Sequence, residues 1–159
     1  LKMTLWDPES QIERVFDLGF VGDPSDIDPT VLNKFAAADI IPVIAPIGLG
    51  EEGQTFNINA DTVAGAVASA VGAAKLVMMT DVEGLMDSSG QLVPRLTEIE
   101  AAAMLRDGSI SGGMIPKIRT CINAAENGVR GVVIIDGRKP HSILFELFSD
   151  QGAGTLIRK

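Results

Sequence analysis

Two short apolar runs constrain the fold of this chain more than any other feature. They are AKLVMMTD (residues 74–81) and RGVVIIDG (residues 130–137), in which apolar side chains follow one another without polar alternation. Such a strand has both faces buried, as in a sheet covered by helices on both sides. Helix-forming stretches lie between the runs, namely TEIEAAAML (97–105) and GGMIPKIRTCINAAENG (112–128). The pattern predicts an α/β fold, a three-layer αβα sandwich with a mostly parallel central sheet.

Other stretches supply further elements. DIDPTVLNKFAAAD (residues 26–39) predicts a helix from about residue 29 to residue 38, since Asp28 can cap it and Pro29 suits a first helical position. IIPVIAPIG (residues 40–48) is a continuous apolar run, which predicts another buried strand. The remaining predicted elements are a strand or hairpin leading into a turn (7–23), a short strand before Asp61 and a helix after it, a closing helix (140–148) and a final edge strand (154–157).

Length and composition fit one folded domain. The chain has 159 residues, of which 46% are hydrophobic and 21% charged, a balance that allows a real core. No linker, low-complexity segment or repeat interrupts it, so we expect residues 1–159 to form a single domain. No apolar run is long enough to span a bilayer and no signal-peptide pattern opens the chain. We therefore expect a soluble, cytoplasmic protein without a membrane partner.

Charge and cysteine count narrow the classes of function. The formal net charge is −8 and the 13 Lys and Arg residues are scattered, so we expect no nucleic-acid partner. The single cysteine, Cys121, cannot form an intramolecular disulfide, and we expect it to be a small buried residue on a helix. One histidine and one cysteine also leave no metal-binding cluster of those residues.

Ligands of α/β sheets bind outside the carboxyl ends of the strands, which places residues 46–53, 80–84 and 136–138 at the functional edge. GLGEEG (residues 48–53) formally fits the dinucleotide-binding pattern G-x-G-x-x-G there. That pattern must open a helix, whereas QTFNI follows here and predicts a strand, and Glu51 and Glu52 would repel phosphates. We interpret GLGEEG as a hairpin turn.

SGGMIPKIRT (residues 111–120) is a better candidate for binding an anion. Gly112 and Gly113 permit unusual backbone angles and close approach of a ligand, and the helix that they open directs free N–H groups outward. Lys117 lies just beyond, within reach of the same helix end. Taken alone, the stretch also fits a helix start with a solvated lysine.

TDVEGLMD (residues 80–87) favours a ligand site over a plain helix start with a solvated lysine. Thr80 and Asp81 leave a buried strand and the chain turns at Gly84, which is where an α/β sheet offers a ligand crevice.

TFNINADTVAGAVASAVGA (residues 55–73) places Asn57, Asn59 and Asp61 before an apolar helix. Asn and Asp accept hydrogen bonds from the free N–H groups at a helix start, so capping is one interpretation. A helix amino terminus also favours anions, so these side chains can instead help to bind a phosphate or a carboxylate. This window alone leaves both interpretations open.

Seven stretches together make the chain similar to the amino-acid kinase family. They are DLGFVGD, IPVIAPIG, TFNINADTVAG, LVMMTDVEGLMD, DGSISGGMIPKI, VVIIDGRKPH and DQGAGTLI, in the family's order and spacing. The resemblance is strongest to members in arginine biosynthesis, which use ATP to phosphorylate the γ-carboxylate of N-acetyl-L-glutamate. It implies the carboxyl-terminal, nucleotide-binding half of such an enzyme, with some of the acyl-amino-acid site.

The resemblance implies a role for each candidate residue. Asp61 and Lys117 would be catalytic: Asp61 would orient lysines by accepting their hydrogen bonds, and Lys117 would hold the transferring phosphoryl group. Asn57 would contact acetylglutamate, and Asn59 would support that loop. Magnesium would bridge phosphate oxygens of ATP. The nucleotide site would be formed by Thr80, Asp81, Gly84, Leu85, Gly112, Gly113 and Lys117.

These residue types suit the implied chemistry. Formation of an acyl phosphate joins two anions, so the catalyst must neutralise charge that spreads over the transferred phosphoryl group. A lysine and backbone N–H groups can do this without a covalent step. The attacking carboxylate is already ionised near neutral pH, so an aspartate among lysines is an organiser rather than a base.

The beginning of the chain departs from the family pattern. The family opens with a strand that carries a second catalytic lysine and a Gly-Gly turn, followed later by an arginine that grips the substrate carboxylate. None of these precedes DLGFVGD (residues 17–23), so we expect a partial sequence that is inactive alone. Two alternatives stay open: another superfamily member, acting on carbamate, aspartate or a nucleoside monophosphate, and a non-catalytic nucleotide or amino-acid sensor.

DGRKPH (residues 136–141), with His141, is similar to the carboxyl-terminal region of arginine-inhibited relatives. The resemblance therefore implies arginine as an inhibitor, although His141 also fits a plain helix-start residue. It further implies that the complete enzyme is a homo-oligomer.

Overall fold

The computed structural model describes residues 2–7 and 12–159, which contain both strands and helices. The strands are β1 (Lys2–Asp7), β2 (Ile12–Asp17), β3 (Val21–Gly22), β4 (Ile47–Leu49), β5 (Thr55–Ile58), β6 (Leu76–Thr80), β7 (Arg95–Thr97), β8 (Val132–Asp136) and β9 (Gly154–Arg158). The helices are α1 (Thr30–Ala37), α2 (Ala60–Ala70), α3 (Glu98–Arg106), α4 (Met114–Glu126) and α5 (Ser142–Phe148). The predicted α/β class is confirmed.

The strands form three sheets within the described residues. β1 and β2 pair antiparallel, and the strand predicted in residues 7–23 is β2, although residues 8–11 lie outside the described part. The second sheet has the order β3-β5-β4, with β3 parallel and β4 antiparallel to β5. The third has the order β6-β8-β9-β7, in which β8 and β9 are antiparallel and the outer pairs are parallel. The pairing is therefore more mixed than the apolar runs alone indicate.

The final strand occupies a different place from the predicted one. β9 lies between β8 and β7, so the prediction of an edge strand at residues 154–157 is wrong. Thr155 and Ile157 are completely buried. Thr155 is polar, but its hydroxyl forms hydrogen bonds with the Leu85 N–H and the Val93 carbonyl inside the fold.

The strand predicted at residues 40–48 is also wrong over most of its length. β4 begins only at Ile47, and none of the described strands forms a ladder with residues 40–45. The Pro46 carbonyl accepts a hydrogen bond from the Ile58 N–H of β5 at 3.0 Å. Ile41 and Val43 are 89% and 97% exposed. Pro42 and Pro46 lack the N–H groups that a strand ladder needs. An apolar run becomes a buried strand only where other elements cover it.

The core lies between the third sheet and helices α2, α3 and α4. Its centre contains Ile118, Cys121 and Ala124 of α4, packed with Val132 and Ile134 of β8. All five residues of β8 are buried, as its unbroken apolar run predicts. Because alternate residues of a strand face opposite sides, both faces of β8 are covered, and α4 and α5 both contact it. Within the described residues, every helix is too short or too polar to cross a membrane.

Candidate functional site

Two charged side chains from distant parts of the sequence meet where α2 and α4 begin. Lys117 Nζ lies 2.9 Å from Asp61 Oδ2, and the two side chains are 23% and 28% exposed. Asp61 lies in the first turn of α2, where the helix dipole favours a carboxylate. Lys117 lies in the first turn of α4, where the same dipole disfavours a cation. Lys117 is therefore held at this position by Asp61 and not by its own helix.

A glycine sets the spacing between these two helices. A Cβ atom on Gly65 of α2 would lie 2.7 Å from Thr120 Cγ2 of α4, closer than side chains pack. Ala68, one turn beyond Gly65, and Cys121, which follows Thr120, belong to the same buried cluster. The close approach of α2 and α4 thus depends on the missing side chain at Gly65, and it fixes how far apart Asp61 and Lys117 lie.

Asn59 and Asn57 have separate environments. Asn59 is the N-cap of α2, and its Oδ1 accepts a hydrogen bond from the Thr62 N–H at 3.2 Å. Asn57 lies in β5 with an exposed side chain, while the next residue, Ile58, is buried. Capping therefore describes Asn59, whereas Asp61 forms an ion pair and Asn57 is open to a ligand.

The loop after β6, residues 80–85, passes against the middle of the third sheet. Thr80 Oγ1 donates to Asp81 Oδ1 at 3.2 Å. Gly84 has a φ of 149°, and a Cβ there would lie 2.5 Å from Thr155 Oγ1. The N–H of Leu85 donates to the same hydroxyl at 2.8 Å. Glycine is required at position 84 by both its backbone angle and this contact. The sequence interpretation missed Thr155, because no local pattern shows a partner so far away along the chain.

A second loop, after β8, lies beside the first, since Thr80 and Asp136 are paired at the ends of their parallel strands. The buried Asp136 accepts hydrogen bonds from Nε and the backbone N–H of Arg138, both at 2.9 Å. These hydrogen bonds lower the pKa of Asp136 to about 2. Lys139 Nζ reaches Glu83 Oε1 at 2.6 Å, so an ion pair ties the two loops together. Glu83 and Arg138 lie within the stretches predicted at the functional edge, although the sequence analysis assigned neither of them a role.

The start of α4 is open in the described structure. Gly112 has a φ of 58°, and Gly113 is the N-cap of α4, which no side chain caps among the described residues. A Cβ on either glycine would meet no atom within 4 Å, so space is available beside them. The N–H groups of Met114 and Ile115 donate to the carbonyls of Ser111 and Gly112 at 3.3 and 3.2 Å, and Pro116 has no N–H. An anion at this helix end would therefore be bound by the backbone of Gly112 and Gly113.

A polar cavity of about 560 Å3 lies near the start of β9, and Lys75, Arg95, Glu146 and Asp150 line part of it. The buried carboxylate of Glu146 accepts hydrogen bonds from Lys75 Nζ and from the Ala153 N–H, both at 2.8 Å. His141 is the exposed N-cap of α5, with a φ of 62°. The described residues contain no group of three or more His, Cys, Asp or Glu side chains that could hold a metal ion.

A second cavity of about 690 Å3 lies between α1, β4, β5 and α2, and its lining is mainly apolar. Phe56 and Ile58 line it, whereas Asn57 lies between them and points to the opposite face of β5. Neither Lys117 nor the start of α4 lines this cavity. It is therefore a separate feature from the Asp61–Lys117 pair.

Comparison with curated proteins identifies relatives. Residues 5–136 match the family model of the amino acid kinase family. An acetylglutamate kinase of Parvibaculum lavamentivorans is 58% identical over 153 residues, which cover 96% of this chain and 50% of that protein. An acetylglutamate kinase of Rhodospirillum rubrum is 60% identical over 152 residues, which cover 96% and 49%. The chain spans about half the length of these curated relatives.

A solved structure shares the fold. It is the N-acetylglutamate synthase from Neisseria gonorrhoeae complexed with coenzyme A and L-arginine, with a TM-score of 0.85 and 30% identity over 91% of this chain and 34% of that one. The residues matched by the family model include Asp61, Lys117 and the loop 80–85. Sequence, fold and relatives agree that the chain belongs to the amino acid kinase family.

Proposed function

We propose that this chain supplies the nucleotide-binding part of an acetylglutamate kinase in arginine biosynthesis. That enzyme transfers the terminal phosphoryl group of ATP to the γ-carboxylate of N-acetyl-L-glutamate. The observation that carries the proposal is the 2.9 Å pair of Lys117 and Asp61 beside the open start of α4. Relatives with 58% and 60% identity are acetylglutamate kinases. Because the chain spans about half their length, we assign the activity to the complete enzyme.

We place the phosphates of ATP at Gly112 and Gly113, where a ligand can approach the backbone closely. The nucleoside would lie against the loop that contains Thr80, Asp81, Gly84 and Leu85. Asn57 would face the acetylglutamate, since its amide offers a donor and an acceptor without adding charge. Asn59, as the N-cap, would keep Asp61 and the start of α2 in place.

Lys117 would stabilise the charge that develops on the transferring phosphoryl group, and Asp61 would hold its ammonium group in position. Neither residue needs to remove a proton, because the attacking carboxylate is ionised near neutral pH. Magnesium would supply charge neutralisation as a complex with ATP.

Calorimetric titration with Mg-ADP tests the nucleotide site on the chain itself. We expect measurable binding, and about a tenfold weaker affinity for Lys117→Ala, since one charge-assisted contact is lost. Lys34→Ala, at an exposed position of α1, is the matched control and should change nothing. Equal effects of the two substitutions would remove Lys117 from the site.

We also propose that L-arginine regulates the complete enzyme by binding in the polar cavity beside β9. The supporting observations are the exposed Asp150 in the lining of this cavity and the arginine complex of the gonococcal synthase. Glu146 also lines the cavity, but its carboxylate already accepts hydrogen bonds from Lys75 Nζ and the Ala153 N–H. A guanidinium group suits a carboxylate because the two can form paired hydrogen bonds.

Thermal unfolding of the chain with L-arginine, and with L-lysine for comparison, tests this site. We expect arginine alone to raise the Tm, because a ligand that binds the folded state stabilises it. Asp150→Asn should abolish that shift. If the folded variant still responds to arginine, the cavity is not the site.

A further inference from the structure

Thr155, on β9, is completely buried and carries a hydroxyl group. Its Oγ1 donates a hydrogen bond to the Val93 carbonyl at 2.7 Å and accepts one from the Leu85 N–H at 2.8 Å. The hydroxyl thus links β9 to the far end of the loop 80–85 and to the segment that precedes β7. Because this buried hydroxyl both donates and accepts a hydrogen bond, a side chain without a hydroxyl cannot replace it.

The loop lies directly against this hydroxyl. A Cβ on Gly84 would be 2.5 Å from Thr155 Oγ1 and 2.8 Å from Leu92 Cδ1, so no larger residue fits. The preceding residue of β9, Gly154, is equally close: a Cβ there would overlap the Ile134 carbonyl oxygen and lie 3.0 Å from the Glu83 carbonyl oxygen. Two successive residues of β9 therefore contact the loop.

The other end of the loop is held from the β8 side. The Gly137 N–H donates to the Thr80 carbonyl at 2.8 Å, and Lys139 pairs with Glu83 at 2.6 Å. Loss of the Thr155 hydroxyl would leave the Leu85 N–H buried without an acceptor, since Leu85 is 3% exposed. The loop would then have to move at Gly84 and Leu85, while its first residues stayed in place.

We infer that Thr155 is a positioning residue for the nucleotide-binding loop, residues 80–85, and that it acts through the Leu85 N–H without touching the nucleotide. The role toward nucleotide rests on the proposed function, whereas the contact with the loop rests on geometry alone. Nucleotide affinity should therefore depend on the hydroxyl of Thr155 and not only on the volume of its side chain.

The test compares Thr155→Val, which keeps the volume and loses the hydroxyl, with Thr155→Ser, which keeps the hydroxyl. Ile157→Val is the matched control, because it trims another fully buried side chain of β9 and removes no hydrogen bond. Two quantities are measured on each folded variant of the chain: amide hydrogen exchange at Leu85 by NMR, and the Kd for Mg-ADP by calorimetry.

We expect Thr155→Val to speed exchange at Leu85 and to raise the Kd roughly tenfold, with Thr155→Ser and Ile157→Val within about twofold of the unsubstituted chain. If Thr155→Val does not fold, Thr155→Ala removes the same hydroxyl, and its Kd relative to that of Thr155→Ser should be raised in the same way.

An unchanged Kd in Thr155→Val, or unchanged exchange at Leu85, would overturn the inference while leaving the proposed function intact. Absence of Mg-ADP binding by the unsubstituted chain would instead overturn the proposed nucleotide site, and the role of Thr155 with it.

Discussion

At the scale of single residues, the pair of Lys117 and Asp61 differs from an ordinary surface ion pair. Its atoms lie 2.9 Å apart and each side chain is less than a third exposed, so solvent screens the pair only in part. Lys117 stands at the unfavourable end of a helix dipole, whereas Asp61 stands at a favourable one. A lysine held in this way keeps its ammonium group in one place, which transfer of a phosphoryl group requires.

Asp61→Asn tests whether this aspartate organises catalysis. In the complete enzyme we expect the fold and nucleotide binding to persist, while kcat falls on the order of a hundredfold, because Lys117 loses its charged partner. Steady-state kinetics at saturating substrates measure the effect. Asp28→Asn is the control, since Asp28 accepts a hydrogen bond from the Thr30 N–H at the start of α1, asparagine can accept the same bond, and turnover should not change. Near-normal turnover of Asp61→Asn would assign Asp61 to a structural role.

The lowered pKa of Asp136 predicts that the stability of the fold depends on pH. Its pKa is about 2 in the folded chain, below its ordinary value of 3.8, because Arg138 donates hydrogen bonds to it. A carboxyl whose folded pKa is lowered stabilises the fold above its unfolded pKa, and that contribution is lost as the pH falls from 3.8 through about 2. The urea midpoint of Asp136→Asn should thus lie below that of the unsubstituted chain at pH 6, and the gap should narrow toward pH 2. A gap that stays constant over this range would contradict the assignment.

At the scale of elements, sequence patterns predicted those features of helices and strands that depend on residues close together in the sequence. Asp28 and Pro29 marked the start of α1 to within one residue, since Pro29 is its N-cap. The unbroken apolar run of β8 predicted burial on both faces, whereas the same prediction is wrong for β6, an edge strand in which Met79 is 53% exposed. Residues 40–46 and β9 were misassigned, because the outcome depends on which distant strand lies beside them. Periodicity identifies a buried strand but does not identify its neighbours.

In the candidate site, too, local features were predicted from the sequence, whereas contacts between distant residues were not. The sequence marked Gly84, Gly112 and Gly113 as positions where the backbone needs glycine. In the structure Gly84 and Gly112 have φ values of 149° and 58°, and Gly113 is the N-cap of α4. The pairing of Asp61 with Lys117 was expected from the resemblance alone, since it joins two helices. Thr155 gave no signal, because its partner Leu85 is 70 residues away.

The contact between α2 and α4 gives a prediction about packing. Gly65→Ala should destabilise the chain by ~1–3 kcal/mol despite the better helix propensity of alanine, because its Cβ would meet Thr120 Cγ2 at 2.7 Å. Thr120→Ser removes that methyl group, so the double variant should recover most of the loss. Urea unfolding of both single variants and the double variant measures the coupling. Additive effects would show that the two side chains do not meet.

At the scale of the whole molecule, large apolar side chains remain exposed among the described residues. Ile41, Val43 and Phe148 are 89%, 97% and 83% exposed. Apolar surface of this extent favours association. In the complete enzyme we expect further parts of the fold to cover the segment around residues 40–49.

The measurement that tests the central proposal most directly is the acetylglutamate kinase activity of a chimera. The chain replaces the 153 matched residues in the Parvibaculum lavamentivorans enzyme, so that the rest of that protein supplies what lies outside the match. Acceptor assays include N-acetyl-L-glutamate, carbamate and aspartate, and the Lys117→Ala chimera and the chain alone serve as controls.

We predict ATP-dependent phosphorylation of N-acetyl-L-glutamate by the chimera, a large loss of that activity in its Lys117→Ala form, and no turnover by the 159 residues alone. A folded chimera that binds Mg-ADP or acetylglutamate without phosphorylating any acceptor would contradict the proposal and indicate a sensor. Robust turnover by the chain alone would contradict it equally, since the groups that we assign to the rest of the enzyme would then be dispensable.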